Sequence, residues 1–208
     1  MIVLNMKTII FDVMGVIFTE GDDVENLLVP FIKKFKPHIS KELIKRHYLK
    51  ASLGELKAEG FWQELGFTPK EAEELEFRYL EKSFTLDPDF MVCARELSTH
   101  YQLAVLSNDI LKWHLHLRKK YGLDTYIEKD KFFISSALGL RKPDPEIYRQ
   151  VLAKLQILPQ ECFFVDDYPE RVLAGEALGI KGILFNRLKH NYSGKAVESF
   201  AELAACFT

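Results

Sequence analysis

The sequence predicts an α/β fold, a parallel sheet core into which a four-helix bundle is inserted. Two observations carry this prediction. From about Leu86 onward, short runs of β-branched and aromatic residues alternate with helical patterns, whereas the stretch from Asp22 to about Phe84 is helical throughout. Alternation of strand and helix implies parallel strands joined by right-handed crossovers. A strand-free stretch lying after one such strand and before the rest must leave the sheet and return to it.

The first strand is Thr8-Ile9-Ile10-Phe11, continuously apolar as expected of a strand covered on both faces. Asp12 ends it and Gly15 supplies a break. The longer run Met1 to Phe18 is apolar enough to suggest a secretory leader, but Lys7 and Asp12 interrupt it and no small-residue cleavage site follows. It is therefore expected to be a buried strand of a cytoplasmic protein. Val24, Leu27, Leu28, Phe31, Ile32 and Phe35 recur at three- and four-residue spacing and stop at Pro37, which predicts an amphipathic helix. Ser40 caps a second helix, with Leu43, Ile44, His47 and Tyr48 on one face. Gly54 opens a third, carrying Leu56, Phe61, Trp62 and Leu65, and Gly66 closes it. Thr68-Pro69-Lys70-Glu71 combines an N-cap, a proline at the first helical position and a capping-box glutamate, and starts a fourth helix running to about Ser83. The aromatic residues Phe61, Trp62, Phe67, Phe77 and Tyr79 are expected to form the bundle core.

The remaining strands are predicted over 103–106, 132–134, 162–165 and 182–185, separated by helices such as 90–100 and 144–155. The core domain is then 1–18 and 85–208, the inserted domain is 19–84, and residues 19–23 and 85–89 are the hinges. A chain of 208 residues with 48% hydrophobic and 28% charged residues is ordinary for a globular protein and long enough for a full core. A formal charge of -2 gives no preference for nucleic acid or membrane, so neither is expected as a partner. Cys93, Cys162 and Cys206 are odd in number and share no metal-ligand spacing, and are expected to be core or near-core thiols of a reducing compartment.

Ser107-Asn108-Asp109 follows the second strand, Arg141-Lys142-Pro143-Asp144-Pro145 follows the third, and Asp166-Asp167 ends the fourth. With Asp12, four strands thus deliver polar groups to one sheet edge, which is where ligands bind in open α/β sheets. A single polar residue after a strand is ordinarily a helix cap. Their convergence points to a site.

In order and approximate spacing these motifs resemble those of the haloacid dehalogenase (HAD) superfamily over the whole chain. The insertion point and Lys142-Pro143-Asp144-Pro145-Glu146-Ile147-Tyr148 resemble its subclass with a helical cap. The resemblance implies a Rossmann-like core beneath a cap, and a phosphatase-like hydrolase. It implies Asp12 as nucleophile, Lys142 as the catalytic charge clamp, Ser107, Asn108 and Lys142 as phosphate-binding residues, and Mg²⁺ as cofactor. The metal would be held by Asp12, the Met14 backbone carbonyl and Asp167, with Asp166 acting through water. These residue types suit the chemistry, because phosphoryl transfer needs an in-line nucleophile and distributed positive charge, and Mg²⁺ prefers oxygen ligands.

Met14 departs from the phosphatase pattern, in which the residue two after the nucleophile is an aspartate that protonates the leaving group and then activates water. Methionine can do neither, and losing such a group costs about 10² to 10⁴ in rate. The expected function is a Mg²⁺-dependent phosphohydrolase acting on a small phosphorylated metabolite, weak or confined to good leaving groups. The alternatives are a dehalogenase or phosphonatase type of C–X or C–P hydrolase with an organic-acid substrate, or a non-catalytic metal/phosphate-binding or protein-interaction module. The Asp166-Asp167 pair stands against a dehalogenase. The lack of an assigned Schiff-base lysine stands against a phosphonatase, Lys50 and Lys57 being the candidates. Residues 52–59, with Glu55, Lys57 and Glu59, are expected to set specificity, and the protein to be a monomer or homodimer. His114 and His116 lie about 200° apart around a helix and cannot share a metal, so both are expected at or near the surface. Arg118-Lys119-Lys120 is expected to be a solvated helix end.

Overall fold

The computed structural model describes residues 6–207, and in them six parallel strands form one sheet in the order β3-β2-β1-β4-β5-β6. The strands are β1 (Thr8–Phe11), β2 (Gln102–Ser107), β3 (Phe132–Ile134), β4 (Cys162–Asp166), β5 (Lys181–Phe185) and β6 (Ala196–Val197). Part of the predicted N-terminal apolar run, residues 1–5, lies outside the described residues. β1 is central, and its side chains divide by parity: Ile9 and Phe11 enter one hydrophobic cluster and Ile10 the other. Strand order reverses at β1, with Phe11 in register with Val105 on one side and Val165 on the other. Asp12 therefore leaves the sheet at its topological switch point.

Between β1 and β2 the described chain is mainly helical. A π-helical turn (Val24–Leu28) runs into α1 (Val29–Lys33), followed by α2 (Lys41–Ser52), α3 (Ala58–Glu64) and α4 (Pro69–Lys82). The change from π to α falls at Pro30, which has no N–H to give to the preceding turn. The Ser40 cap and the Thr68/Glu71 capping box form as predicted. α3 begins at Ala58 rather than Gly54, because Gly54 takes φ +77 in a turn where a Cβ would lie 2.3 Å from the Ser136 carbonyl oxygen. The two crossings run side by side: Thr19 N–H donates to the Thr85 carbonyl (3.0 Å), Asp87 N–H donates to the Ile17 carbonyl (2.9 Å), and Phe18 bridges Leu86.

The other helices are α5 (Phe90–Leu97), α6 (Leu111–Tyr121), α7 (Ser135–Leu138), α8 (Pro145–Leu155), α9 (Pro169–Glu176) and α10 (Phe200–Ala205). α6 carries the inserted helices. Its Trp113 sits among Tyr48, Phe61, Trp62 and Tyr79 with ring centroids 5.5–6.1 Å apart. Buried Glu76 of α4 accepts hydrogen bonds from the Trp62 (3.1 Å) and Trp113 (2.8 Å) indoles and pairs with Lys112 (2.5 Å).

Three expectations are corrected. Phe77 is 59% exposed, because Leu75 and Tyr79 already occupy the inward face of α4. His114 is fully buried beside Phe132, since the inner face of α6 carries it together with Trp113 and Leu117. Of Arg118, Lys119 and Lys120 only Lys119 is exposed: Arg118 stacks on Phe132 and pairs with Asp124, and Lys120 pairs with Glu81. β6 and α10 were not anticipated, being too short to show periodicity.

Candidate active site

The ends of β1 and β4 bring Asp12, Asp166 and Asp167 together, all buried, each with a carboxylate oxygen within 4.8 Å of the others. The loop before α8 brings Lys142 to them from the far side of the sheet edge. Its Nζ lies 2.7 Å from Asp12 Oδ1 and 2.6 Å from Asp166 Oδ2, with no side-chain exposure. Lys142 is aimed by Asn108. The Asn108 amide donates to the Lys142 carbonyl (2.9 Å) and its Oδ1 accepts the Lys142 N–H (2.9 Å). The Asn108 side chain is thus engaged in positioning the Lys142 backbone. Ser107 ends β2, buried, one register position beyond the level of Asp12.

The two adjacent acids are treated differently. Asp166 Oδ2 holds Lys142 and its Oδ1 accepts the Tyr168 N–H at 3.0 Å. Burial acts to raise Asp166, but the Lys142 and Arg171 charges outweigh it and hold the carboxyl below the usual range. Both oxygens of Asp167 are buried without a hydrogen-bond partner. Burial, then the charges of Asp12 and Asp166, push Asp167 up to about 9. Asp12 is raised too, by burial and by Asp166, against Lys142 and Arg171.

These features fit a small hard cation: three oxygen donors converge, and two of their atoms are buried without the hydrogen bonds that a metal would replace. The chain is also shaped around Asp167. A Cβ at Gly15, where φ is +77, would lie 2.1 Å from Asp167 Oδ2, and one at Gly21 would lie 2.5 Å from it.

Met14 is 8% exposed with its side chain in the hydrophobic core, so it offers no proton there. Four residues to which the motif reading gave no role lie near the site. Arg171, in the first turns of α9, stands 3.4 Å from Asp12, 3.5 Å from Asp166 and 3.6 Å from Asp167. Its signal was its place four residues after Asp167 on a helix, which turns its side chain back over the N-terminus. Arg141 contacts Ser52 and lies over Tyr48, whose hydroxyl donates to the Asn108 carbonyl (3.1 Å). Asp109 follows Asn108, with its Oδ1 accepting the Ile110 N–H at 2.6 Å. Burial first, then Asp23, push Asp109 up to about 8. Asp23, at the start of the inserted helices, lies within the electrostatic reach of Asp12 and Arg171. Glu55, Lys57 and Glu59 are exposed, so Ser52, Gly54 and Tyr48 make the contacts with the site loops.

A family model for haloacid dehalogenase-like hydrolases matches residues 6–179. The chain belongs to the haloacid dehalogenase-like hydrolases. This HAD-like hydrolase is 27% identical over 184 residues to a sesquiterpene phosphatase of Aspergillus oryzae, covering 86% of this chain and 89% of the relative. It is 25% identical over 189 residues to the D-ribitol-5-phosphate phosphatase of Bacteroides thetaiotaomicron, covering 85% and 90%. A shorter match, 36% identical over 73 residues, joins 35% of this chain to only 29% of a flavin mononucleotide hydrolase of Arabidopsis thaliana. Among solved structures, a HAD family enzyme of Bacteroides thetaiotaomicron in its magnesium complex is similar with a TM-score of 0.75 at 20% identity, over 95% of this chain and 98% of that one. That likeness establishes the fold. The HAD-like hydrolase is thus phosphatase-like by its relatives, with an acidic cluster able to take a metal. Among the described residues no helix is long and apolar enough to cross a membrane.

Proposed function

We propose that this HAD-like hydrolase is a Mg²⁺-dependent phosphohydrolase that acts on a small phosphorylated metabolite through an aspartyl-phosphate on Asp12, with residues 19–84 as its cap. The observation that carries this reading is the asymmetry of the adjacent acids. Both oxygens of Asp166 are engaged in hydrogen bonds, while both oxygens of Asp167 are buried without one, the Arg171 guanidinium standing 3.6 Å from Oδ1. Asp12 and Asp167 would hold the ion together with the Met14 carbonyl, Asp166 acting through water. A bound Mg²⁺ supplies positive charge where negative charge accumulates on the phosphoryl group.

The chain's own residues do the rest. One oxygen of Asp12 attacks phosphorus in line as the bond to the leaving oxygen breaks. Lys142 neutralises Asp12 and, with Ser107, offers donors to the phosphoryl oxygens. Water then attacks the phosphorus of the aspartyl-phosphate, returning the Asp12 carboxylate and releasing phosphate. Since Met14 gives no proton, the Asp12 loop by itself would favour leaving groups that depart unprotonated. Cys93, Cys162 and Cys206 are free, which fits a reducing, cytoplasmic setting.

The test is a phosphometabolite panel with Mg²⁺, run on wild type and Asp12→Asn. Phosphate release by wild type that vanishes in Asp12→Asn is expected. Release that survives Asp12→Asn would place the activity elsewhere and overturn the assignment.

A further inference from the structure

The loop after β1 folds back over the acid cluster. Gly15 N–H donates to the Glu20 carbonyl (2.9 Å), and Gly21 packs so that a Cβ would lie 2.5 Å from Asp167 Oδ2 and 3.6 Å from Gly15 Cα. Two residues on is Asp23. It heads the inserted helices, yet it does no capping: its backbone is already helical (φ -53, ψ -31) and its side chain makes no cap hydrogen bond. Asp22, in the left-handed region at φ 44, does that work, accepting the Glu25 N–H on Oδ1 at 3.3 Å. A half-buried carboxyl two residues from the Gly21 that packs on Asp167, and within the electrostatic reach of Asp12, is thereby left without its usual task.

We propose that Asp23 is the proton donor to the leaving group, the catalytic acid that Met14 cannot be. This rests on the phosphohydrolase reading above. As the P–O bond breaks, its electron pair stays on the leaving oxygen, which takes the proton of the Asp23 carboxyl. The resulting Asp23 carboxylate accepts a proton from the water that attacks the aspartyl-phosphate. The P–O bond to Asp12 then breaks, phosphate departs, and Asp23 is protonated for the next cycle.

The surroundings suit such a group. Burial, then the charges of Asp12 and Asp22, push Asp23 up to about 7, against Arg171 and Arg141. An acid poised near the working pH both gives and takes a proton efficiently. Its charge also reaches Tyr48, Tyr79 and Asp109 from α2, α4 and the loop after β2. Asp109 is no rival: it is 2% exposed, with Oδ1 fixed on the Ile110 N–H and Oδ2 turned toward His114 at 3.9 Å.

The experiment compares first-turnover rates, with Mg²⁺, on p-nitrophenyl phosphate, which leaves unprotonated, and on the primary alkyl phosphate that wild type cleaves fastest. Asp23→Asn should lower the alkyl-to-aryl rate ratio roughly 10²-fold and remove the alkaline limb of the alkyl pH profile, as expected for loss of a general acid. Asp23→Glu should retain most of the ratio, and Met14→Asp in the Asp23→Asn background should restore it roughly tenfold or more. A ratio unchanged in Asp23→Asn, or equal losses on both substrates, overturns the proposal. Wild type that releases p-nitrophenol through Asp12 but cleaves no alkyl phosphate overturns the role of Asp23 alone. Wild type that cleaves neither overturns the phosphohydrolase reading as well.

Discussion

Replacing Glu76 by alanine should unfasten the inserted helices from the core. The Glu76 carboxylate is 6% exposed and receives two indole N–H groups on one oxygen, Trp62 from α3 and Trp113 from α6, while the other pairs with Lys112. Hydrogen bonds to a charged group contribute about 1.5–3 kcal/mol each, and here both donors would be left buried and unpaired. The Lys112 side chain is 53% exposed, so that ion pair adds roughly 0–1 kcal/mol. The sum for Glu76→Ala is about 3–7 kcal/mol. For a chain of this size each kcal/mol shifts Tm by about 2–4 °C, which gives a fall of roughly 15 °C. Glu76→Gln keeps an oxygen for both indoles and should cost only about 1 kcal/mol. Thermal melts followed by tryptophan fluorescence measure both variants. Glu76→Ala within about 1 kcal/mol of wild type, or Glu76→Gln as costly as the alanine, would refute this account of the docking.

Other perturbations test the site. Arg171→Gln removes a cation 3.4–3.6 Å from three acids, and calorimetry should show Mg²⁺ binding strengthened at least tenfold while the metal-free protein melts lower; equal affinity would mean that Arg171 does not oppose the ion. Asn108→Ala loses two bonds to the Lys142 backbone, for a cost of about 2 kcal/mol, and should lower kcat far more than it raises KM; an unchanged kcat would separate Asn108 from the aim of Lys142. A pH series in chelator tests the buried acid Asp109, pushed up to about 8, which in the folded state stays protonated where the unfolded chain has lost the proton. Its contribution to stability therefore falls as pH rises from about 4 to about 8. His114, held down to about 3 by burial, contributes with the opposite sign below its unfolded value of about 6.5 and is silent above it. Between about pH 6.5 and 8 wild type should lose stability and Asp109→Asn should lose less; parallel curves would contradict the burial of a charge at Asp109.

The sheet was legible because each central strand is a short apolar run ending at a polar residue, and Thr8-Ile9-Ile10-Phe11 is continuously apolar because it is buried on both faces. The capped helices were legible for the same reason: Ser40 and Thr68 announce themselves locally. Asp12 and Asp166-Asp167 could be found because they stand at strand ends, and Lys142 because of the Lys142-Pro143-Asp144-Pro145 motif. The hold of the Asn108 side chain on the Lys142 backbone was not legible, since only the fold shows Lys142 lying across from it. Arg171 and Asp23 escaped because neither ends a strand, and their approach to Asp12 depends on how α9 and the Glu20–Gly21 turn fold back. His114 was misplaced because helical spacing does not say which side chains a neighbouring strand will cover.

The pairing of the two crossings joins the two linkers into one ribbon. Phe18 bridges both Leu86 and Met14, and Arg187 reaches the Gly15 and Val16 carbonyls (3.2 Å each) as well as Asp87 (2.5 Å). If residues 19–84 move as the proposed cap, the swing would twist a single ribbon whose near end is the Asp12 loop, with Asp23 on the moving side. Closure and delivery of the proposed acid would then be one event, and an alcohol would leave only from a substrate that the closed form encloses.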